Sequence, residues 1–125
     1  MDIDTFHKLL DDLAAEIPAD FFRELNGGIL LLPEVKGHPL APGGGYILGE
    51  YRVQKPGLGR YIIIYYGSFQ KILGEKAFPK EVKTRLWETL LHELRHHLES
   101  LAGVQDLQLE DERRLRELIT SHRQG

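Results

Sequence analysis

Residues 92–96 of this 125-residue chain read His-Glu-Leu-Arg-His, a spacing that brings three chemically active side chains together on a helix. In an α-helix, His92 and His96 are separated by about 40° around the axis and about 6 Å along it. Both imidazoles can therefore reach one metal ion from the same side, while Glu93 can face a water molecule bound to that metal. Zinc lowers the pKa of such a water to roughly 7, and a carboxylate can accept its proton. This is the chemistry of amide hydrolysis.

The helical phase of the segment supports a metal-binding role for these two histidines. Apolar side chains form one face of the helix. They are Val82, Leu86, Leu90, Leu94 and Leu101, with Trp87, Leu91 and Leu98 on one flank. On a helical wheel His92 and His96 lie nearly opposite this face, where buried core histidines would not lie. His97 projects onto the apolar face, so we expect a packed, hydrogen-bonded residue there.

Composition limits the classes of protein and site that are possible. The chain has no cysteine, so a metal must be held by His, Asp and Glu, which suits zinc in an open, catalytic coordination. The net charge is −3, and no Lys/Arg cluster indicates a nucleic-acid partner. No stretch approaches the roughly 20 apolar residues of a membrane span, and the N-terminus has no signal-peptide pattern. We expect a single domain over residues 1–125, in the cytoplasm.

Periodicity and turn residues predict the elements around the motif. A first amphipathic helix, capped by Asp4, stops before Pro18, and a short helix could follow at 20–25. A helical turn is expected at 68–74, and the motif helix starts near Pro79 and ends at Gly103. A last helix runs from about 109 to 121, with dense charge typical of a solvated face.

Three strands are expected between the first helix and the motif helix. They span residues 29–32, 46–53 and 61–66. The last is apolar without alternation, which indicates burial on both faces. A short Pro/Gly loop joins the second and third strands, so we expect an antiparallel hairpin. Gly49, inside the second strand, is interpreted as a possible bulge.

In this order the elements resemble the zincin-like fold, and the chain is similar to the minimal bacterial zincin-like metallopeptidases. Residues 46–51, 61–65 and 90–97 carry the resemblance, and the histidine segment is the most specific of them. The resemblance implies an α+β fold. A small mixed or antiparallel sheet packs against an N-terminal helix and the H-E-x-x-H helix, and a short C-terminal helix follows. It also implies a zinc ion held by His92 and His96, with Glu93 as the general base.

The third zinc ligand is less directly indicated, because the chain departs from the family pattern downstream of the motif. Family members often carry a glycine three residues after the second histidine and an acidic ligand three further on. Those positions are Glu99 and Ala102 here, and a Gly-x-x-Asp occurs four residues later, ending at Asp106. Asp106 is the preferred ligand, because Gly103 can end the helix and turn the chain back. The alternatives are Glu99, better suited to holding a ligand imidazole by hydrogen bond, and Glu110 and Asp111, for which helix capping is the ordinary role.

Three functions fit these observations. The first is a zinc metallopeptidase that acts on a peptide or protein. The second is a zinc-containing module that binds a peptide without cutting it, and the third, less favoured without cysteine, is a structural zinc site. A substrate is expected to dock along a free edge of the hairpin formed by residues 46–66, unless the Gly-rich loop 37–45 covers that edge.

Overall fold

The apolar strand predicted from residues 61–66 is the centre of the sheet. In this computed structural model, which describes residues 1–38, 44–103 and 109–122, it is β3 (Gly59–Tyr65). It pairs in parallel with β1 (Gly28–Leu32) and in antiparallel fashion with β2 (Gly49–Gln54), in the order β1-β3-β2. The mixed sheet and the β2–β3 hairpin are therefore as predicted.

Both faces of β3 are covered, which explains why its sequence does not alternate. Ile62 and Ile64 are fully buried in the main core against the helices. Tyr61, Ile63 and Tyr65 form a smaller apolar cluster on the other face of the sheet. A central strand with two packed faces favours a continuous apolar run.

Four helices among the described residues complete the α+β fold that was predicted. They are α1 (Ile3–Ala15), α2 (Tyr66–Leu73), α3 (Pro79–Ala102) and α4 (Leu109–Ser121). The predicted start and end of α3 are confirmed, with Pro79 in its first turn and Gly103 as its C-cap at φ 99°. None of the described helices is both long and apolar enough to cross a membrane.

Four local predictions differ from the structure. The N-cap of α1 is Asp2 and not Asp4, because the Asp2 carboxylate accepts a hydrogen bond from the Thr5 amide at 2.8 Å. The short helix expected at 20–25 is a single 3₁₀ turn, Ala19–Phe22, and the turn expected at 68–74 is the two-turn helix α2. Gly49 is not a bulge, because the β2–β3 register is continuous from its first pair to its last.

The apolar face of α3 packs against the sheet, the N-terminal helix and α4. Trp87 is buried, and its indole N–H donates to the Leu118 carbonyl of α4 at 2.8 Å. The charge on α4 is more than a solvated face, since three of its side chains form ion pairs with other elements. These pairs are Asp111 with Arg23, Arg114 with Asp20 and Glu112 with Arg95.

Candidate metal centre and cleft

The two motif histidines meet on the exposed side of α3. The Nε2 atoms of His92 and His96 are 3.2 Å apart, and the rings are nearly perpendicular with centroids 4.8 Å apart. Burial, and then the neighbouring His96, lowers the pKa of His92, which favours the neutral imidazole that metals bind. One helical turn is enough to produce this pair, because a spacing of four residues stacks side chains on one face.

The distance between the two nitrogens fits a zinc ion. Two imidazole nitrogens bound to tetrahedral zinc, each at about 2.0–2.1 Å from the metal, lie about 3.3 Å from one another. His92 and His96 present their nitrogens at nearly this separation without any rearrangement. The donor set, two imidazoles beside a carboxylate and no thiolate, also suits zinc.

Glu93 lies under the sheet next to this pair, with only 6% of its surface exposed. Burial raises its pKa to about 7, and the negative charge of Glu50 contributes in the same direction. A carboxylate with a pKa near neutrality is well matched to general-base catalysis. A divalent cation bound by the two histidines would lower this pKa, since a nearby positive charge favours the ionised carboxylate.

Gly49 lets β2 lie directly on α3 at this point. A Cβ atom at Gly49 would lie 3.0 Å from Thr89 Cγ2 and 3.2 Å from Glu93 Cγ. Such contacts are tighter than normal packing, so a side chain here would displace the carboxylate or the strand. The glycine therefore allows the strand to approach Glu93 closely. It does not form the bulge that the sequence suggested.

The outer edge of β2 is unpaired among the described residues, because its only described partner strand is β3. The Tyr65 amide donates to the Leu48 carbonyl at 2.9 Å, which marks this pair as hydrogen-bonded. Hydrogen-bonded and non-hydrogen-bonded pairs alternate along an antiparallel ladder. Gly49, Tyr51 and Val53 therefore direct their backbone N–H and C=O groups away from β3, along the free edge.

The described part of the loop 37–45 covers this edge only before β2 begins. The Ile47 amide donates to the Lys36 carbonyl at 2.8 Å, and the His38 amide donates to the Gly45 carbonyl at 2.9 Å. Residues 36–38 thus occupy the position that a peptide strand would take beside residues 45–47. The free edge starts at Gly49, above Glu93.

A cleft of about 620 Å³ separates this edge from the histidines of α3. It is lined by His38, Ile47, Gly49, Glu50, Tyr51, His92, Glu93, His96, Glu99, Ser100 and Gly103. A second depression of about 380 Å³ continues it towards the start of α3, lined by residues 46–49 and by Arg85, Glu88 and Thr89 together with His92 and Glu93. The two depressions form one groove past the candidate metal centre.

Tyr51 and His97 fix the strand to the helix beside the centre. The Tyr51 hydroxyl lies 2.9 Å from His97 Nδ1, and His97 Nε2 lies 2.7 Å from the Arg23 carbonyl oxygen. His97 is fully buried, as its position on the apolar face predicted. Arg60 contacts both the Tyr51 hydroxyl and Ser100 Oγ, which joins β3 to the end of α3.

Glu50 is held in place at the rim of the cleft by three partners. Its carboxylate accepts hydrogen bonds from Tyr65 and Arg52 and lies 3.5 Å from the ammonium of Lys36. Burial, and then the hydrogen bond to Glu50, raises the pKa of Tyr65 to about 12. Sequence reasoning assigned no role to Glu50 or Tyr51, although both lie in the segment 46–51 that carried the family resemblance.

The candidates for the third ligand lie in different places. Glu99 lines the cleft, with one carboxylate oxygen 3.8 Å from His96 Nδ1, the nitrogen that faces away from His92. Glu110 and Asp111 lie on α4 and form ion pairs with Arg113 and Arg23. Asp106 lies outside the described residues. Within the part of the chain that the structure describes, no three His, Asp or Glu side chains form a group that could hold a metal.

Comparison with known proteins identifies the family. The zincin-like metallopeptidase family matches residues 36–115, which include both strands of the hairpin and the whole of α3. The chain belongs to this family. It is also similar to a solved structure of a conserved hypothetical protein from Thermus thermophilus, at 43% identity and a TM-score of 0.69, over 82% of this chain and 98% of that one. No curated protein matched the chain.

Proposed function

We propose that this protein is a zinc-dependent metallopeptidase. The observation that carries the proposal is the pair of Nε2 atoms 3.2 Å apart, set beside a buried carboxylate and below a strand edge that no described residue pairs with. Each of these three parts has a separate task in peptide hydrolysis. Membership of the zincin-like metallopeptidase family supports the same reaction class.

The histidines, Glu93 and the backbone of β2 have separate roles in the proposed reaction. His92 and His96 hold a zinc ion, which when bound polarises the substrate carbonyl and acidifies a water molecule. Glu93 accepts the proton of the attacking water and later donates it to the leaving amine. The outward backbone groups of Gly49 and Tyr51 hold an extended peptide as an added strand.

Asp106 is proposed as the third ligand, because a catalytic zinc takes three protein ligands and keeps one position open. Gly103 supports this choice, since it ends α3 with a positive φ and lines the cleft. Glu99 is proposed to orient His96, towards whose Nδ1 it points.

A zinc-containing module that binds a peptide without hydrolysing it is the second candidate. It is favoured by one observation, the lack of a third metal ligand among residues 1–38, 44–103 and 109–122. Both candidates take a peptide or protein partner and neither involves nucleic acid or a membrane. The bacterial origin and cytoplasmic location expected from the sequence stay predictions.

Metal analysis and a peptide-cleavage assay test the proposal together. Purified protein should contain about one zinc per chain, and His92→Ala with His96→Ala should lose it. Glu93→Gln should retain zinc and the folded structure while cleavage of a mixed peptide library falls at least a hundredfold, because the proton acceptor is gone.

The control is Glu117→Gln, which removes an exposed carboxylate on α4 that pairs with Arg113 of the same helix, and which should retain zinc and cleavage. Zinc retention in the double histidine variant would end the metal assignment. The binding module would be favoured if the wild type binds zinc and peptide but shows no chelator-sensitive cleavage.

A further inference from the structure

Arg85 is a cation at one end of the groove. It precedes His92 by seven residues, which places it about 20° around the helix and about 10 Å along it, on the same face. It lines the second depression together with Tyr46 and Glu88. Arg85 forms no ion pair with any described residue, so its guanidinium is available to a ligand.

The other end of the groove carries the opposite charge. Glu99 follows His92 by seven residues and lines the cleft with Ser100 and Gly103. Its side chain is 43% exposed, and its described ion-pair partner is the imidazole of His96. No Lys or Arg is among the described lining residues of this depression, although Arg60 lies behind it, bonded to Ser100.

The direction of a bound peptide follows from the strand edge. Gly49 lies over Thr89 and Glu93, and Tyr51 lies over His97, so β2 and α3 run in the same direction. Antiparallel pairing is slightly more stable per residue than parallel pairing. A peptide that pairs with β2 in this way runs from the Glu99 end, past Glu93, to the Arg85 end.

The paired part of such a peptide is short on its C-terminal side. Residues 36–38 occupy the edge beside residues 45–47, so pairing stops at Gly49. Beyond this point the peptide passes into the second depression, which Arg85 lines. Glu88 also lines this depression, but it lies three residues closer to His92 than Arg85 does. The Arg85 guanidinium is therefore the charged group farthest from His92 among the lining residues.

From this arrangement we propose that the groove selects short peptides with free termini, the N-terminal ammonium at Glu99 and the C-terminal carboxylate at Arg85. Fourteen helical residues separate these side chains, or about 21 Å along the axis. Six extended residues span about 20 Å. The substrate class is thus an oligopeptide of about six residues, and this inference rests on the proposed peptide-binding function.

Calorimetric titration of zinc-saturated Glu93→Gln protein with one neutral hexapeptide tests the inference. The peptide is used in four forms, with free termini, acetylated, amidated, or capped at both ends. Each cap should weaken binding about five- to tenfold, or roughly 1.0–1.4 kcal/mol. Adding Arg85→Gln should abolish the effect of amidation but leave the effect of acetylation. Adding Glu99→Gln should abolish the effect of acetylation but leave the effect of amidation.

Lys83→Gln is the matched control, because Lys83 is exposed on the same helix and lines a depression on another side of it. This variant should leave both cap effects unchanged. Equal binding of all four peptide forms, or cap effects that persist in the Arg85 and Glu99 variants, would overturn the inference while leaving the peptidase proposal intact. A failure of every form to bind would overturn the peptide-docking proposal itself and this inference with it.

Discussion

The tautomer of His97 determines the direction of its hydrogen bond with Tyr51. The Arg23 carbonyl can only accept a hydrogen bond, so the Nε2 atom 2.7 Å away carries the hydrogen. Burial lowers the pKa of His97, so the ring is neutral and its Nδ1 is an acceptor. The Tyr51 hydroxyl must therefore donate to Nδ1. Its hydrogen is not available to a substrate, and Tyr51 is a positioning residue.

The identity of the third ligand is a prediction about single residues. Asp106→Ala should weaken zinc affinity by orders of magnitude, because it removes one of three proposed ligands. Glu99→Ala should weaken it by roughly 10–100-fold, which is typical of a group that orients a ligand. Competition with a zinc-binding dye measures both affinities. The reverse order of the two variants would assign the ligand to Glu99.

Among single residues, the sequence predicted those whose geometry is local. His92, Glu93 and His96 are related by one turn of one helix, which requires no knowledge of the rest of the chain. The contacts of Tyr51 with His97 and of Gly49 with Glu93 depend instead on how a strand lies against a distant helix, and Tyr51 precedes His97 by 46 positions. The residue pattern of the strand or of the helix alone does not predict which residues of the two elements face each other.

At the scale of elements, the site consists of β2 laid on α3 with a glycine at the closest point. Local signals predicted the ends of α3, since Pro79 and Gly103 each have a preferred place at a helix terminus. The start of β2 was predicted at residue 46 and lies at Gly49. The difference arises because residues 45–47 pair with the preceding loop, a contact that strand propensity does not report.

Gly49→Ala tests the packing of these two elements. The added methyl group would meet Thr89 Cγ2 at 3.0 Å and Glu93 Cγ at 3.2 Å, so Glu93 should move. We expect peptide cleavage to fall at least tenfold with zinc content unchanged, since small misplacements of catalytic groups are costly. Steady-state kinetics and metal analysis measure the two effects.

Two further variants separate packing from a general loss of stability. Gly37→Ala is the control, because a Cβ there meets nothing within 4 Å and cleavage should be retained. Combining Gly49→Ala with Thr89→Ser removes the Cγ2 contact and should restore part of the activity. Unchanged cleavage by Gly49→Ala alone would show that close approach is not required.

At the scale of the whole molecule, α4 is attached to the rest of the protein by its buried Leu115, by ion pairs and by a hydrogen bond from Trp87. Arg114 forms two hydrogen bonds with Asp20, and Glu112 accepts one from Arg95. Both carboxyl groups have lowered pKa values, caused first by these hydrogen bonds for each group. In the sequence, α4 follows three residues after Asp106, the proposed third ligand.

Acid should therefore weaken the attachment of α4. A carboxyl group with a lowered pKa in the folded state stabilises that state above its unfolded pKa, and the contribution is lost as pH falls through the folded value. Trp87 is the only tryptophan and bonds to α4, so its fluorescence reports the change. We expect the emission to shift to longer wavelength as the pH falls below about 4.

Replacing the two carboxyl groups should reproduce part of this effect at neutral pH. Asp20→Asn combined with Glu112→Gln should lower the melting temperature and shift Trp87 emission without acid. Glu117→Gln should do neither, because Glu117 pairs with Arg113 inside α4. An acid transition identical in wild type and double variant would show that other groups govern the attachment.

The alignment of β2 with α3 also limits how long the site can be. Two strand residues advance about 6.7 Å and four helical residues advance about 6.0 Å, so each matched step leaves a difference of about 0.7 Å. Gly49 over Glu93 and Tyr51 over His97 are one step apart, and the offset there is small. After three steps it reaches about 2 Å, which is enough to separate groups that were in contact. Because the two repeats do not share a common length, a longer sheet edge would add strand without adding aligned side chains. The close match of strand and helix is therefore a local property of the positions at Gly49 and Tyr51.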